Sequence, residues 1–140
     1  MSEHTFPLDL HYCVEHQVWA RLQGDGTATV GITSLGIALA GGEIYMCRPK
    51  SVGTVVEAGR SLAVVELAKS IVSVKSPVSG VVVEVNPVLA DAPERVHEDC
   101  YGQGWLARLQ LAAFEADLAG LLHGEPVAAA MEHHAWLNRT

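Results

Sequence analysis

Hydrophobic positions along the 140-residue chain follow a two-residue period first and a helical period later. Residues 1–10 read as a loose lead-in. From Val18 the chain reads as short, β-branched-rich strands separated by turn signals. Gly24-Asp25-Gly26 is a strong turn between Val18–Leu22 and Thr27–Ile32. Thr33 or Ser34 is placed to cap a short helix through Leu35, Ile37 and Leu39, which Gly41-Gly42 ends. Strands are then expected at Glu43–Cys47, Val52–Val56, Leu62–Leu67, Ile71–Lys75 and Val81–Val85, with breaks at Ala58-Gly59, Ala68-Lys69, Pro77 with Ser79-Gly80, and Asn86-Pro87. Residues 88–104 read mostly as loop before a last strand, Trp105–Leu109.

Beyond that strand the period changes. Leu111, Phe114, Leu118, Leu121 and Leu122 recur at helical spacing up to Gly124, and Pro126 opens a second helix through Val127, Met131 and Trp136. One internal repeat is visible: G-x-V-V-E occurs at Gly53–Glu57 and again at Gly80–Glu84, on either side of Lys69. Two similar β units suggest a sandwich with approximate two-fold symmetry. The expected fold is therefore mostly β, with one short helix in the N-terminal half and a helical C-terminal tail. A single domain is expected over residues 1–140, with a core at about 12–110 and a helical extension at about 111–137.

Composition narrows the function. A net charge of −7 argues against a nucleic-acid partner, which requires clustered Lys and Arg. No apolar run is long enough for a membrane span, and Met1–Leu10 lacks a signal-peptide core. Cys13, Cys47 and Cys100 are odd in number and widely spaced, which fits reduced thiols in the cytoplasm. Cys47 beside Arg48 is the more interesting thiol, but ordinary free cysteines are the simpler reading. His133-His134 are adjacent and His11 and His16 are five apart, neither of which is a metal-binding spacing. No Ser-His-Asp order or phosphate loop is present, so an autonomous enzyme is not expected.

Only three lysines occur: Lys50, Lys69 and Lys75. A tight turn at Ala68-Lys69, between the runs Leu62–Leu67 and Ile71–Lys75, places Lys69 at an exposed tip. A lone turn lysine is ordinarily a solubilising residue. The same placement is what a swinging-arm carrier needs, because an acylated lysine must be reachable by several enzymes while a rigid scaffold holds its base.

The chain resembles the glycine-cleavage H proteins over most of its length. The motifs are Gly24-Asp25-Gly26, Ala28-Thr29-Val30-Gly31-Ile32-Thr33, Val64-Val65-Glu66-Leu67-Ala68-Lys69, Ser76-Pro77-Val78-Ser79-Gly80-Val81-Val82-Val83-Glu84-Val85-Asn86, and Glu98-Asp99-Cys100-Tyr101-Gly102-Gln103-Gly104-Trp105-Leu106. Order and spacing match without a gap from Glu66 to Gly80. The resemblance implies a lipoyl-domain-like β sandwich, the hybrid barrel-sandwich. It also implies a carrier rather than an enzyme, with lipoic acid as a covalent lipoamide on Lys69 and ligase recognition at Glu66 and Gly80. Implied partners are a lipoate ligase or lipoyl transferase, the glycine-cleavage enzymes and dihydrolipoamide dehydrogenase.

Departures cluster near the tip. The family's E-S-V-K-A-A-S-D becomes Glu66-Leu67-Ala68-Lys69-Ser70-Ile71-Val72-Ser73, more apolar and without the acid after the lysine. Glu43–Lys50 replaces an acidic, apolar family stretch, and the family's H-E-W becomes His16-Gln17-Val18-Trp19, one residue longer. These departures resemble a second branch, the lipoate-binding proteins of the heterodisulfide-reductase-like sulfur-oxidation system. That branch is the preferred expectation for the cargo: sulfur on the arm, presented to a cytoplasmic heterodisulfide-reductase-like complex. The alternative is the glycine-cleavage role with aminomethyl cargo. A third reading is a non-lipoylated binding module, should the ligase reject the Leu67-Ala68 tip.

Overall fold

The computed structural model describes residues 4–138. A seven-stranded antiparallel sheet and a three-stranded one enclose most of the core. The strands of the large sheet are β1 (His11–Cys13), β2 (Val18–Leu22), β3 (Thr27–Ile32), β5 (Val55–Val56), β8 (Gly80–Val85), β9 (Ala107–Leu111) and β10 (Leu122–His123). Their order is β10-β1-β2-β3-β9-β8-β5. The small sheet has β4 (Met46–Pro49), β6 (Ser61–Glu66) and β7 (Ile71–Lys75) in the order β4-β6-β7. Helices are α1 (Ser34–Ala40), α2 (Arg95–Glu98), α3 (Phe114–Asp117) and α4 (Pro126–Leu137).

The hydrophobic alternation explains the layering. β3 lies centrally and all six of its residues are buried. Trp19 and Gly31 are cross-strand partners, and the indole occupies the space that a side chain at 31 would need, 2.4 Å from where its Cβ would stand. The indole N–H donates to the carbonyls of Ile32 (3.1 Å) and Cys100 (3.2 Å), so this buried donor is satisfied. Thr33 caps α1: its Oγ1 accepts from Gly36 N–H at 2.9 Å. Gly41, at φ +138°, ends the helix, and its N–H and that of Gly42 return to carbonyls of the last turn.

The two G-x-V-V-E copies are direct neighbours. Val55 stands opposite Val81 and Val56 opposite Gly80. Gly80 also runs so close to β9 that a Cβ there would lie 2.1 Å from the Gln110 carbonyl oxygen.

Several element boundaries differ from the sequence expectation. β1 falls close to the lead-in, where its three residues are too few to show a period. The strand expected at Glu43–Cys47 is displaced to Met46–Pro49, and the loop at 88–104 contains a 3-10 turn, Pro87–Ala90, and α2. The leucine-rich tail is not one helix. It breaks into α3, a 3-10 turn at Leu118–Gly120 and strand β10. The reason is that its apolar residues serve different clusters: Leu111, Phe114 and Leu121 pack with Leu62, Val82 and Leu109, whereas Leu122 packs with Leu10, Tyr12 and Trp19. One straight helix has only one apolar stripe and cannot reach both. The helix opened by Pro126 forms as expected and buries Val127 and Met131. No described helix is long and apolar enough to cross a membrane.

Candidate functional site

The β6–β7 hairpin is closed by the Leu67 N–H, which donates to the Ser70 carbonyl at 2.9 Å. Ala68 and Lys69 form the tip, and neither has a left-handed backbone. The hairpin is held from below. Leu67 is only 8% exposed and packs in a cluster with Ile37, Ile44 and Cys47. Its Cδ2 would lie 3.2 Å from a Cβ on Gly41, so the end of α1 and the root of the tip touch. The Tyr45 N–H donates to the Glu66 carbonyl at 2.8 Å and draws the β4 side of the sheet up to the same point.

Lys69 is exposed, and its amine makes no hydrogen bond or ion pair among the described residues. The other lysines differ. Lys75 donates from Nζ to the Ser73 hydroxyl at 3.1 Å. Lys50 is exposed and its amine makes no hydrogen bond among the described residues either, but it follows Pro49 in the β4–β5 connection and not on a hairpin tip. Glu66 is half-buried, with Ile71 as its cross-strand partner at the hairpin base. Gly80 is not brought to the tip: it belongs to the large sheet, and its close approach to Gln110 is a sufficient steric reason for glycine.

A shallow groove of about 400 Å³ runs beside the lysine, walled by Ala40, Gly41, Glu43, Tyr45 and Leu67. Tyr45, 59% exposed, forms the apolar rim of this groove, while Ile71, 70% exposed, lies outside it at the start of β7. Sequence reasoning flagged the Glu43–Lys50 stretch as altered but did not single out Tyr45 as a neighbour of the lysine. The separation of more than twenty residues carries no local signal; the cross-strand register creates the proximity. The altered Leu67, in turn, faces the core rather than a partner, so the exposed departures of the hairpin reduce to Ala68, Ser70, Ile71 and Ser73.

The remaining candidates are explained by packing. Burial pushes the Cys47 thiol up to about 12 and that of Cys100 to about 11, and it raises Cys13 as well, which disfavours thiolates. No group of three or more His, Cys, Asp and Glu side chains converges among the described residues. His133 stacks on Trp136. Gln17 was missed. It is buried with φ +56°, its Oε1 accepts from the Thr33 hydroxyl at 2.6 Å, and its amide donates to Met131 Sδ, tying α1 to α4.

The family model for the glycine cleavage H-protein matches residues 10–134. The chain belongs to this family. It is 44% identical to the glycine cleavage system H protein of Marinobacter nauticus over 135 residues, covering 96% of this chain and 98% of that one. It is 43% identical to the glycine cleavage system H protein 2 of Aquifex aeolicus over 121 residues, 86% of this chain and 74% of that one. The crystal structure of the H protein from Mycobacterium marinum superposes with a TM-score of 0.76 at 31% identity, covering 95% of this chain and 98% of that one. Glycine-cleavage H proteins are lipoyl carriers and not catalysts, and they hold lipoic acid covalently on a lysine. The sulfur-oxidation branch expected from the tip departures finds no support among these relatives, which favour the glycine-cleavage alternative.

Proposed function

We propose that this H-protein family member carries its lipoyl group on Lys69 and serves as the aminomethyl carrier of glycine cleavage. The observation that carries the site assignment is the contrast among the three lysines. Lys69 alone stands on a hairpin tip with its amine unengaged, while the chain beneath it is fixed by Leu67. The donor fits the group: an amine can be acylated with loss of its charge, and no neighbour has to be displaced. When bound, lipoic acid supplies the dithiol chemistry. The protein holds the base of the arm, and tethering concentrates the cargo at a docked enzyme. Glu66, three residues before the lysine and partly exposed, is the proposed recognition point for the lipoate ligase. Gly80 contributes indirectly by letting β8 lie against β9. A cytoplasmic setting, with the glycine-cleavage enzymes, lipoate ligase and dihydrolipoamide dehydrogenase as partners, is consistent with three free thiols.

A second reading, sulfur cargo, is favoured only by the tip itself: Ser70 and Ile71 follow the lysine without an acid, and Ile71 is exposed. The decisive assay is loading by glycine decarboxylase. Efficient acceptance of the aminomethyl group establishes the glycine role; a lipoylated protein that is not loaded points to the sulfur role. Intact-mass analysis after co-expression with lipoate ligase tests the site, and a protein that stays at its unmodified mass sinks the carrier reading.

A further inference from the structure

The hairpin has a second feature that arm attachment does not use. Hydrogen-bonded and non-bonded pairs alternate along an antiparallel ladder. Because Leu67 bonds to Ser70, the next bonded pair in the register is Val65 with Val72. The backbone N–H and C=O groups of Ile71 and Ser73 therefore face away from β6. β7 is the terminal strand of its sheet, and both residues are exposed. Such an open row is a template for another extended chain.

The other edges are less available. β5 and β10 have two residues each. β4 ends in Arg48-Pro49 and lies against the Pro87–Ala90 turn. Only β7 offers five residues without proline. An apolar cleft of about 320 Å³ opens along it, with Val72, Ser73 and Val74 on one side and Ile37, Leu39 and Ala40 of α1 on the other. A strand laid on the edge would also find side-chain pockets there.

We infer that the outer edge of β7 docks an extended segment of the glycine-cleavage enzyme that loads the arm. The inference rests on the proposed carrier role. Position supports it: β7 begins two residues after Lys69, and at about 3.3 Å per residue Ser73 lies roughly 13 Å along the chain from the arm's base. Charge supports it too. Lys75 marks the far end of the edge and suits a neutral or acidic segment, whereas a second copy of this chain brings another net −7.

The test uses the lipoylated full-length protein as the varied substrate of glycine decarboxylase. Ser73→Pro removes one outward-facing N–H and none from the β6–β7 ladder. The expected result is a KM raised tenfold or more at unchanged kcat, while Ser73→Ala, which keeps the backbone donor, stays within twofold of wild type. A Ser73→Pro KM within twofold of wild type overturns the inference, as does equal impairment by Ser73→Ala. Hydrogen exchange on the wild-type chain covers the case in which the proline variant misfolds. Saturating decarboxylase should slow exchange at the Ile71 and Ser73 amides; unchanged exchange overturns the inference. Protection that appears without enzyme, together with dimers in sedimentation, assigns the edge to a second copy and overturns it as well. Loading of the wild type with Ser73→Pro unaffected removes the docking inference alone; failure to load the wild type removes the glycine-cleavage reading and the inference with it.

Discussion

Two hairpins of this molecule solve the same geometric problem by different means. The β2–β3 turn relies on local chemistry. Gly24 and Gly26 take φ of +83° and +87°, and the Asp25 carboxylate accepts from the Thr27 N–H (3.1 Å) and hydroxyl (2.6 Å). The β6–β7 turn has no glycine, no left-handed residue and no side-chain bond at its tip. Its order comes from the buried Leu67 and from the end of α1. The difference is functional. A turn that engages its own side chains has none left to offer, whereas a turn braced from the core leaves the side chain at its tip unengaged.

The largest effect should come from exchanging the chemistry of the tips. Lys69→Arg should abolish the lipoyl mass increment, because guanidinium is not a comparable nucleophile. Moving the amine instead, with Asp25→Lys in the Lys69→Arg background, should not restore it, since the β2–β3 tip lacks the Glu66 flank and the bracing beneath. Intact mass after co-expression with the ligase reads both. Recovery of the increment in the double variant would show that any exposed hairpin lysine suffices.

Next in size is removal of the brace. Leu67→Ala should cost about 3 kcal/mol, within the range for buried leucine truncation. Chemical denaturation measures the loss, and the rate of lipoylation should fall although Lys69 is untouched. A destabilised variant lipoylated at the wild-type rate would mean that the brace serves stability alone.

How much of this was readable beforehand differs between the two hairpins for a physical reason. Gly24-Asp25-Gly26 announces its turn locally, because left-handed φ and Asx bonding are properties of those residue types. The Lys69 tip was located by the apolar runs on either side and by the motif spacing from Glu66 to Gly80. What the sequence leaves hidden is tertiary. Leu67 read as part of an apolar, partner-facing tip until the register with α1 turned it inward. Tyr45 entered the site only through the β4–β6 pairing, and the tail leucines looked helical until two separate clusters claimed them.

A glycine pair sharpens the contrast further. Gly41→Ala meets both a positive φ and Leu67 Cδ2 at 3.2 Å, so about 2 kcal/mol is expected. Gly24→Ala meets a positive φ and open space, so only the conformational cost remains, about 1 kcal/mol. Equal losses in thermal or denaturant unfolding would show that α1 does not press on the root of the tip.

The smallest effect concerns pH. The Thr27 hydroxyl and N–H hold the Asp25 carboxyl below its ordinary range. A depressed folded pKa means that the unfolded chain binds the proton first as pH falls. The stabilisation is therefore complete above the unfolded carboxylate value, about 3.9, and is lost as pH drops through the lower folded value. Asp25→Ala should lower Tm slightly at pH 7, and its difference from wild type should shrink below pH 3. Asp25 is fully exposed, so solvent screens the interaction and the shift should be modest. A Tm difference that stays constant from pH 7 to pH 2 would place the contribution of Asp25 in turn geometry rather than in its charge. The β2–β3 turn would then be held, like its counterpart, without electrostatics at the tip.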